Sequence, residues 1–174
     1  MSEKLIVSWD EYNKIVETLS IMVHDSGYKP TLLVVIMRGG DPMIDLLSRV
    51  FKLKCAYLAV ESYSGKGVED EQGDIVFSRG MSSIAKNMGG KILLCDDLSD
   101  TGITLNKSVD WLKNYKPIKN KIEDIKTATL WKKKKSTFEP DYCAVRLKDN
   151  PWIVQPFEHY EEIRIEDLKK KHTK

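Results

Sequence analysis

The stretch ILLCDDLSDTGITL, residues 92–105, brings three carboxylates, two threonine hydroxyls and a glycine close together in the chain. An apolar run that ends in Asp96 and Asp97 describes a buried strand delivering two acids at its carboxyl end, where open α/β sheets bind their ligands. Asp100-Thr101-Gly102-Ile103-Thr104 then turns into a helix, so backbone amides, hydroxyls and a helix N-terminus converge on one point. That is equipment for holding a phosphate. Adjacent carboxylates repel a phosphate; they suit ribose hydroxyls or a divalent cation, to which they present acceptors. Turn and cap duty alone explains the three aspartates poorly, since two desolvated neighbouring carboxylates cost on the order of several kcal/mol and a helix cap contributes only about 1. Met37-Arg38-Gly39-Gly40 places an arginine between an apolar run and a Gly-Gly turn, an arrangement fit for a second anion because glycine permits close backbone approach.

These groups need elements to hold them. Ser8-Trp9-Asp10-Glu11 has capping-box spacing, and Tyr12, Ile15, Val16, Leu19 and Val23 recur at helical spacing until Ser26-Gly27 and Pro30 stop the helix. Leu32 to Met37 predicts a strand buried on both faces. Asp41-Pro42 predicts an N-cap followed by proline at the first helical position, with Met43, Ile44, Leu46, Leu47 and Val50 as the buried stripe. Further strands are predicted over Cys55 to Val60, Lys91 to Cys95, Asp124 to Trp131 and Tyr142 to Leu147, and a helix over Ile103 to Asn114. Strands alternating with helices imply parallel pairing through right-handed crossovers, so the expected fold class is α/β, a parallel-centred open sheet flanked by helices. Residues 61–80 differ in character, polar and glycine-rich with a strand-like Ile75-Val76-Phe77 behind them, and read as a functional flap or an excursion hairpin. Gly65-Lys66-Gly67 is no Walker-type loop, because position 60 is Val and no hydroxyl residue follows.

Composition narrows the function further. In 174 residues, 28 Lys+Arg against 26 Asp+Glu leave a net charge of +2, and 41% apolar content is too high for wholesale disorder. One folded domain over 1–174 is expected, with no electrostatic ground for a nucleic-acid partner. The longest apolar run, Leu32 to Met37, is far short of the roughly 20 residues of a membrane span, and the N-terminal residues carry no signal pattern. A cytoplasmic location without a membrane partner is the expectation. Cys55, Cys95 and Cys143 are odd in number and share no close spacing, which suits buried thiols. His24, His159 and His172 have no nucleophile or metal partner at a recognisable spacing, which sets aside hydrolase and zinc readings. The tail from Glu161 to Lys174 runs from acidic to basic and reads as a solvated helix end.

Residues 92–105 resemble the signature of type I phosphoribosyltransferases, in which two acidic residues precede an Asp-Thr-Gly-x-Thr phosphate loop. The resemblance implies that Asp96 and Asp97 bind the ribose hydroxyls of 5-phosphoribosyl 1-diphosphate, and that Asp100, Thr101, Gly102, Ile103 and Thr104 hold its 5-phosphate. It also makes Asp100 the catalytic residue, a base near N7 of a purine. Ser99 stands where an aliphatic residue is common. Arg38 and Gly39 match the diphosphate loop of the family, where a cis peptide often precedes the arginine position. Ser62-Tyr63 resembles the pair in the hood loop of purine enzymes, which places that hood at about 61–80.

Asn150 to Glu158 is similar to the Trp-Ile-x-Gln-Pro-Trp-Asp segment of xanthine-guanine phosphoribosyltransferases. By that likeness Trp152 stacks on the base, Ile153 contacts its 2-position, and a small base-recognition segment spans about 148–165. In Leu130-Trp131-Lys132-Lys133-Lys134-Lys135 one lysine is expected to donate to the exocyclic O6. Counting from the strand start favours Lys133, and counting back from Asp141-Tyr142 favours Lys132; both stand at this point. Lys134 and Lys135 read as a solvated turn. The implied cofactor is Mg2+, held mainly through substrate and water with Asp96, Asp97 and Glu158 as the acids available. The implied reaction moves the phosphoribosyl group to N9 of a 6-oxopurine in a homodimer or homotetramer. The alternative is a regulator of the same fold that binds the donor or a nucleotide without catalysis.

Overall fold

A computed structural model describes residues 4–62, 75–85 and 88–173. In chain order the elements are β1 (Lys4–Ile6), α1 (Trp9–Asp25), β2 (Leu32–Met37), α2 (Asp41–Phe51), β3 (Cys55–Ser62), β4 (Ile75–Phe77) and β5 (Ser82–Ser83). They continue with β6 (Gly90–Ser99), α3 (Ile103–Asn114), β7 (Ile122–Lys132), β8 (Tyr142–Arg146), β9 (Trp152–Val154), α4 (His159–Glu162) and α5 (Ile165–His172). The capping box forms: the Ser8 amide donates to Glu11 Oε2 at 2.8 Å and the Glu11 amide donates to Ser8 Oγ at 3.3 Å.

The main sheet runs β4-β3-β2-β6-β7-β8, with β5 paired to β3. The four pairings from β3 through β2, β6 and β7 to β8 are parallel, while β4 and β5 run antiparallel to β3. On one face Leu33, Val35, Leu93 and Leu130 pack against Tyr12, Val16 and Leu19 of α1 and Ile44 and Leu47 of α2. On the other, Val34, Ile36, Leu58 and Leu94 pack with Leu105 and Leu112 of α3. Covering both faces is why the central strands read as unbroken apolar runs. From β2 the chain crosses through α2 to β3 on one side, and from β6 it crosses through α3 to β7 on the other. The direction of winding therefore reverses between β2 and β6, and a crevice opens beyond their carboxyl ends.

Two local expectations are corrected, and one small sheet is new. The N-cap of α2 is Gly40, and Asp41 is the first helical residue, because the Gly40 amide already donates to the Ile36 carbonyl at 3.2 Å and the turn closes early. Strand β6 continues past Cys95 to Ser99, since β7 stays alongside it through Leu98↔Trp131 and Ser99↔Lys132. The parallel pair β1 and β9 is a second, two-stranded sheet that three-residue strands are too short to announce by periodicity. Cys95 and Cys143 are buried, and Cys55 is half-buried. Among the described residues no helix is long and apolar enough to cross a membrane.

Candidate active site

The acid pair lies at the crevice. Asp96 is 7% exposed, and one of its carboxylate oxygens accepts the Asp97 amide at 3.1 Å. Burial, and then the charge of Asp97, push its carboxyl well above the usual carboxylate range. The β2–α2 turn closes directly over these acids. A Cβ on Gly39 would lie 2.5 Å from Asp97 Oδ1, and one on Gly40 would lie 2.6 Å from Val35 Cγ2 and 2.9 Å from the Ile36 carbonyl. Only glycine permits that approach. The Met37–Arg38 peptide is cis, and the exposed Arg38 guanidinium lies 3.4 Å from Glu161 Oε1.

After β6 the chain turns through Asp100, Thr101 and Gly102 into α3. Gly102 has φ +87°, and a Cβ there would meet the Phe138 amide at 2.6 Å. As N-cap it has no side chain to cover the helix; the Ile103 amide donates to Thr101 Oγ1 at 3.4 Å, and the Thr104 amide behind it is available to an anion. The 136–138 segment buttresses this turn: the Thr137 amide donates to the Thr101 carbonyl at 3.0 Å, and Ser99 Oγ and Ser136 Oγ are 2.7 Å apart. That partner accounts for a polar, fully buried residue at position 99.

A cavity of about 350 Å³ opens between these loops and the segment after β9. Asp97 and Asp100 line one wall, and Trp152, Ile153, Gln155 and Glu158 the other, with Lys133 between them. Trp152 is 56% exposed and therefore belongs to the cavity rather than the core, its indole N–H donating to Glu158 Oε2 at 3.3 Å. The two lysine candidates separate. Lys133 is 4% exposed, its ammonium 3.3 Å from Asp100 Oδ2 and 5.9 Å from the Trp152 ring centroid. Lys132 instead turns its ammonium to Glu139 at 3.5 Å, outside the cavity wall, because successive strand residues face opposite ways.

Lys134 and Lys135 form an exposed turn, as expected, and from it the Lys135 ammonium also lies 2.8 Å from Asp100 Oδ1, so Asp100 is flanked by two cations. Asp96, Thr101, Gly102, Ile103 and Thr104 do not line this cavity; they stand behind or beside Asp97 and Asp100. Ser62 ends β3, paired with Ile75, while its side chain and all of Tyr63 lie outside the described residues. Gln155 was not singled out from sequence. It is 6% exposed and donates through Nε2 to Asp97 Oδ2 in a tight hydrogen bond. Its place inside the Trp-Ile-x-Gln segment was the available signal.

The profile of the phosphoribosyl transferase domain matches residues 8–162. Among solved structures, the chain is similar to a purine phosphoribosyltransferase from Pyrococcus horikoshii Ot3, at 24% identity and TM-score 0.70, over 94% of this chain and 97% of that one. A xanthine-guanine-hypoxanthine phosphoribosyltransferase from Helicobacter pylori is 22% identical, with TM-score 0.69 over 97% of this chain and 99% of the other. A hypothetical protein from Neisseria gonorrhoeae with bound ppGpp is 16% identical, with TM-score 0.71 over 98% and 96%. At these identities the likeness is one of fold.

Proposed function

The chain belongs to the phosphoribosyl transferase domain family, and on that premise we propose that it transfers the 5-phosphoribosyl group of 5-phosphoribosyl 1-diphosphate to N9 of a 6-oxopurine, releasing diphosphate. The observation that carries this reading is the buried ammonium of Lys133 beside the exposed face of Trp152 on one cavity wall. An aromatic face takes a planar base, and a lysine ammonium donates to the 6-oxo oxygen of xanthine, guanine or hypoxanthine while disfavouring adenine, whose 6-amino group is itself a donor. The enzymes from P. horikoshii and H. pylori, one described for purines and one for xanthine, guanine and hypoxanthine, share the fold, which supports a purine as the base.

In this reading N9 attacks C1 of the donor as the bond from C1 to the diphosphate oxygen breaks. Asp97 accepts the ribose hydroxyls, and Asp96 supports it from beneath. Thr101 to Thr104 offer amides and hydroxyls to the 5-phosphate, and Arg38 with Gly39 faces the diphosphate. Asp100 takes the N7 proton of the base and passes its grip on Lys133 to the incoming O6. Among the described residues no three acids or histidines gather to hold a metal, so a magnesium ion would be held mainly by substrate oxygens and water, with Asp97 and Glu158 as the carboxylates available on the cavity wall. When bound, magnesium neutralises charge on the leaving diphosphate.

The regulator reading draws on the ppGpp-bound protein of N. gonorrhoeae, which shares the fold. Because ppGpp carries guanine, a lysine donor beside a stacking face suits that reading as well, and turnover separates the two. The test is diphosphate release from the donor with magnesium, offering guanine, xanthine, hypoxanthine, adenine and orotate separately. Turnover with 6-oxopurines alone is the expected result. Donor binding without turnover on any base transfers the assignment to the regulator.

A further inference from the structure

We propose that Gln155 is a positioning residue that orients the Asp97 carboxylate for the phosphoribosyl donor, an inference that rests on the transfer reading above. Its side chain is 6% exposed on the cavity wall, and Nε2 donates to Asp97 Oδ2. A carboxylate oxygen only accepts, so the NH2 end of the amide must face Asp97 and the carbonyl end must face away. That carbonyl, Oε1, is buried without a hydrogen-bond partner. A buried amide with an orphan acceptor gives up hydration without replacement, and an apolar side chain of the same size would serve the fold better. What the amide achieves instead is the geometry of Asp97.

Gln155 holds Oδ2 of that carboxylate, Gly39 leaves beside Oδ1 no room for a side chain of its own, and the Asp97 amide donates to Asp96 Oδ1. Gln155 donates to Asp97 as a neutral group. A lysine or arginine here would bring a positive charge that competes with a cation for the acid, whereas an amide aims the carboxylate without one. Gln155 also follows directly on β9, which carries Trp152 and Ile153, so the ribose acid and the base wall are joined by one hydrogen bond.

The experiment compares wild type, Gln155→Leu and Gln155→Glu. Donor affinity is measured by calorimetry with magnesium, donor and base KM by steady-state kinetics, and folding by melting temperature. A hydrogen bond to a charged group predicts roughly tenfold weaker donor binding in Gln155→Leu, with melting temperature unchanged or raised and the base KM within about twofold. Gln155→Glu keeps the shape but loses the donor and adds a like charge, so its donor affinity falls further. Unchanged donor affinity in the leucine variant overturns the inference, as does an equal loss for donor and base accompanied by a lower melting temperature. Wild type that binds donor without turning over any purine overturns the transfer reading alone, because the affinity comparison still decides the role of Gln155. Wild type that binds no donor overturns both.

Discussion

Asp100 sits between the ammonium groups of Lys133, at 3.3 Å, and Lys135, at 2.8 Å, while Lys133 also reaches over the Trp152 ring. In the transfer proposed above, Trp152 and Asp100 have separable duties. Trp152→Ala removes a stacking face worth about 1–3 kcal/mol per base, so the base KM is expected to rise roughly tenfold or more with kcat little changed. Asp100→Asn keeps the shape and removes the proton acceptor, so kcat is expected to fall roughly 10²–10⁴-fold with a modest change in KM. Steady-state kinetics on both variants check the pair, and the reverse pattern would exchange the two roles. At this scale the sequence made legible whatever follows from local order: acids after a strand, glycines in turns, a tryptophan in a matching segment. Lys135 and Gln155 were not legible, because their partners, Asp100 and Asp97, are distant in the chain and meet them only once β7 and β9 are placed. The choice between Lys132 and Lys133 likewise waited on strand register, since one residue of slip exchanges the two faces.

Among the elements, β7 and β8 are joined by more than their ladder. Asp141, just before β8, accepts from Lys126 Nζ at 2.9 Å, from the Thr127 amide at 2.8 Å and from Thr127 Oγ1 at 3.0 Å, and the Asp141 amide donates back to Thr127 Oγ1 at 3.0 Å. Burial alone would lift the Asp141 carboxyl; the Lys126 and Thr127 hydrogen bonds outweigh it and hold the group below its ordinary value. A carboxyl depressed by folding binds fewer protons in the native state. Its stabilisation is complete above the unfolded value of about 3.9 and is lost as pH falls through the lower folded value. Asp141→Asn is therefore expected to cost about 1–3 kcal/mol at neutral pH, with the gap to wild type narrowing below about pH 4. Urea unfolding of both proteins across pH 2–7 measures it, and a gap independent of pH would show that the ion pair contributes nothing. Helix ends were legible where caps are local, as at Ser8 and Glu11; the reach of β6 to Ser99 was not, because it depends on β7 extending beside it.

Over the whole molecule, the alternation of strands and helices was enough to predict a parallel-centred sheet, but not the order β4-β3-β2-β6-β7-β8. That order brings the 38–40 turn onto Asp97, since β2 and β6 are neighbours only after two crossovers of opposite direction. The cavity is then completed from the other end of the chain. Strand β9 carries Trp152 and Ile153 into the wall, yet it pairs with β1 and belongs to no part of the main sheet. Its register, Lys4↔Trp152 and Leu5↔Ile153, makes the first residues of the described chain a support for the base side of the site. Ile153 packs into the same core cluster as Leu5 and Val7, so this support is apolar as well as hydrogen-bonded. A variant lacking residues 1–6 loses the ladder but keeps the Val7 amide bond to the Val154 carbonyl, at 3.0 Å. With ladder hydrogen bonds each contributing about 0.5–1.5 kcal/mol, its base KM is expected to rise roughly threefold or more. Its donor KM should move less, because the phosphate turn and the acids rest on β6 and α3. Equal base KM values for the shortened and full chains would mean that β9 is held in place by the core alone.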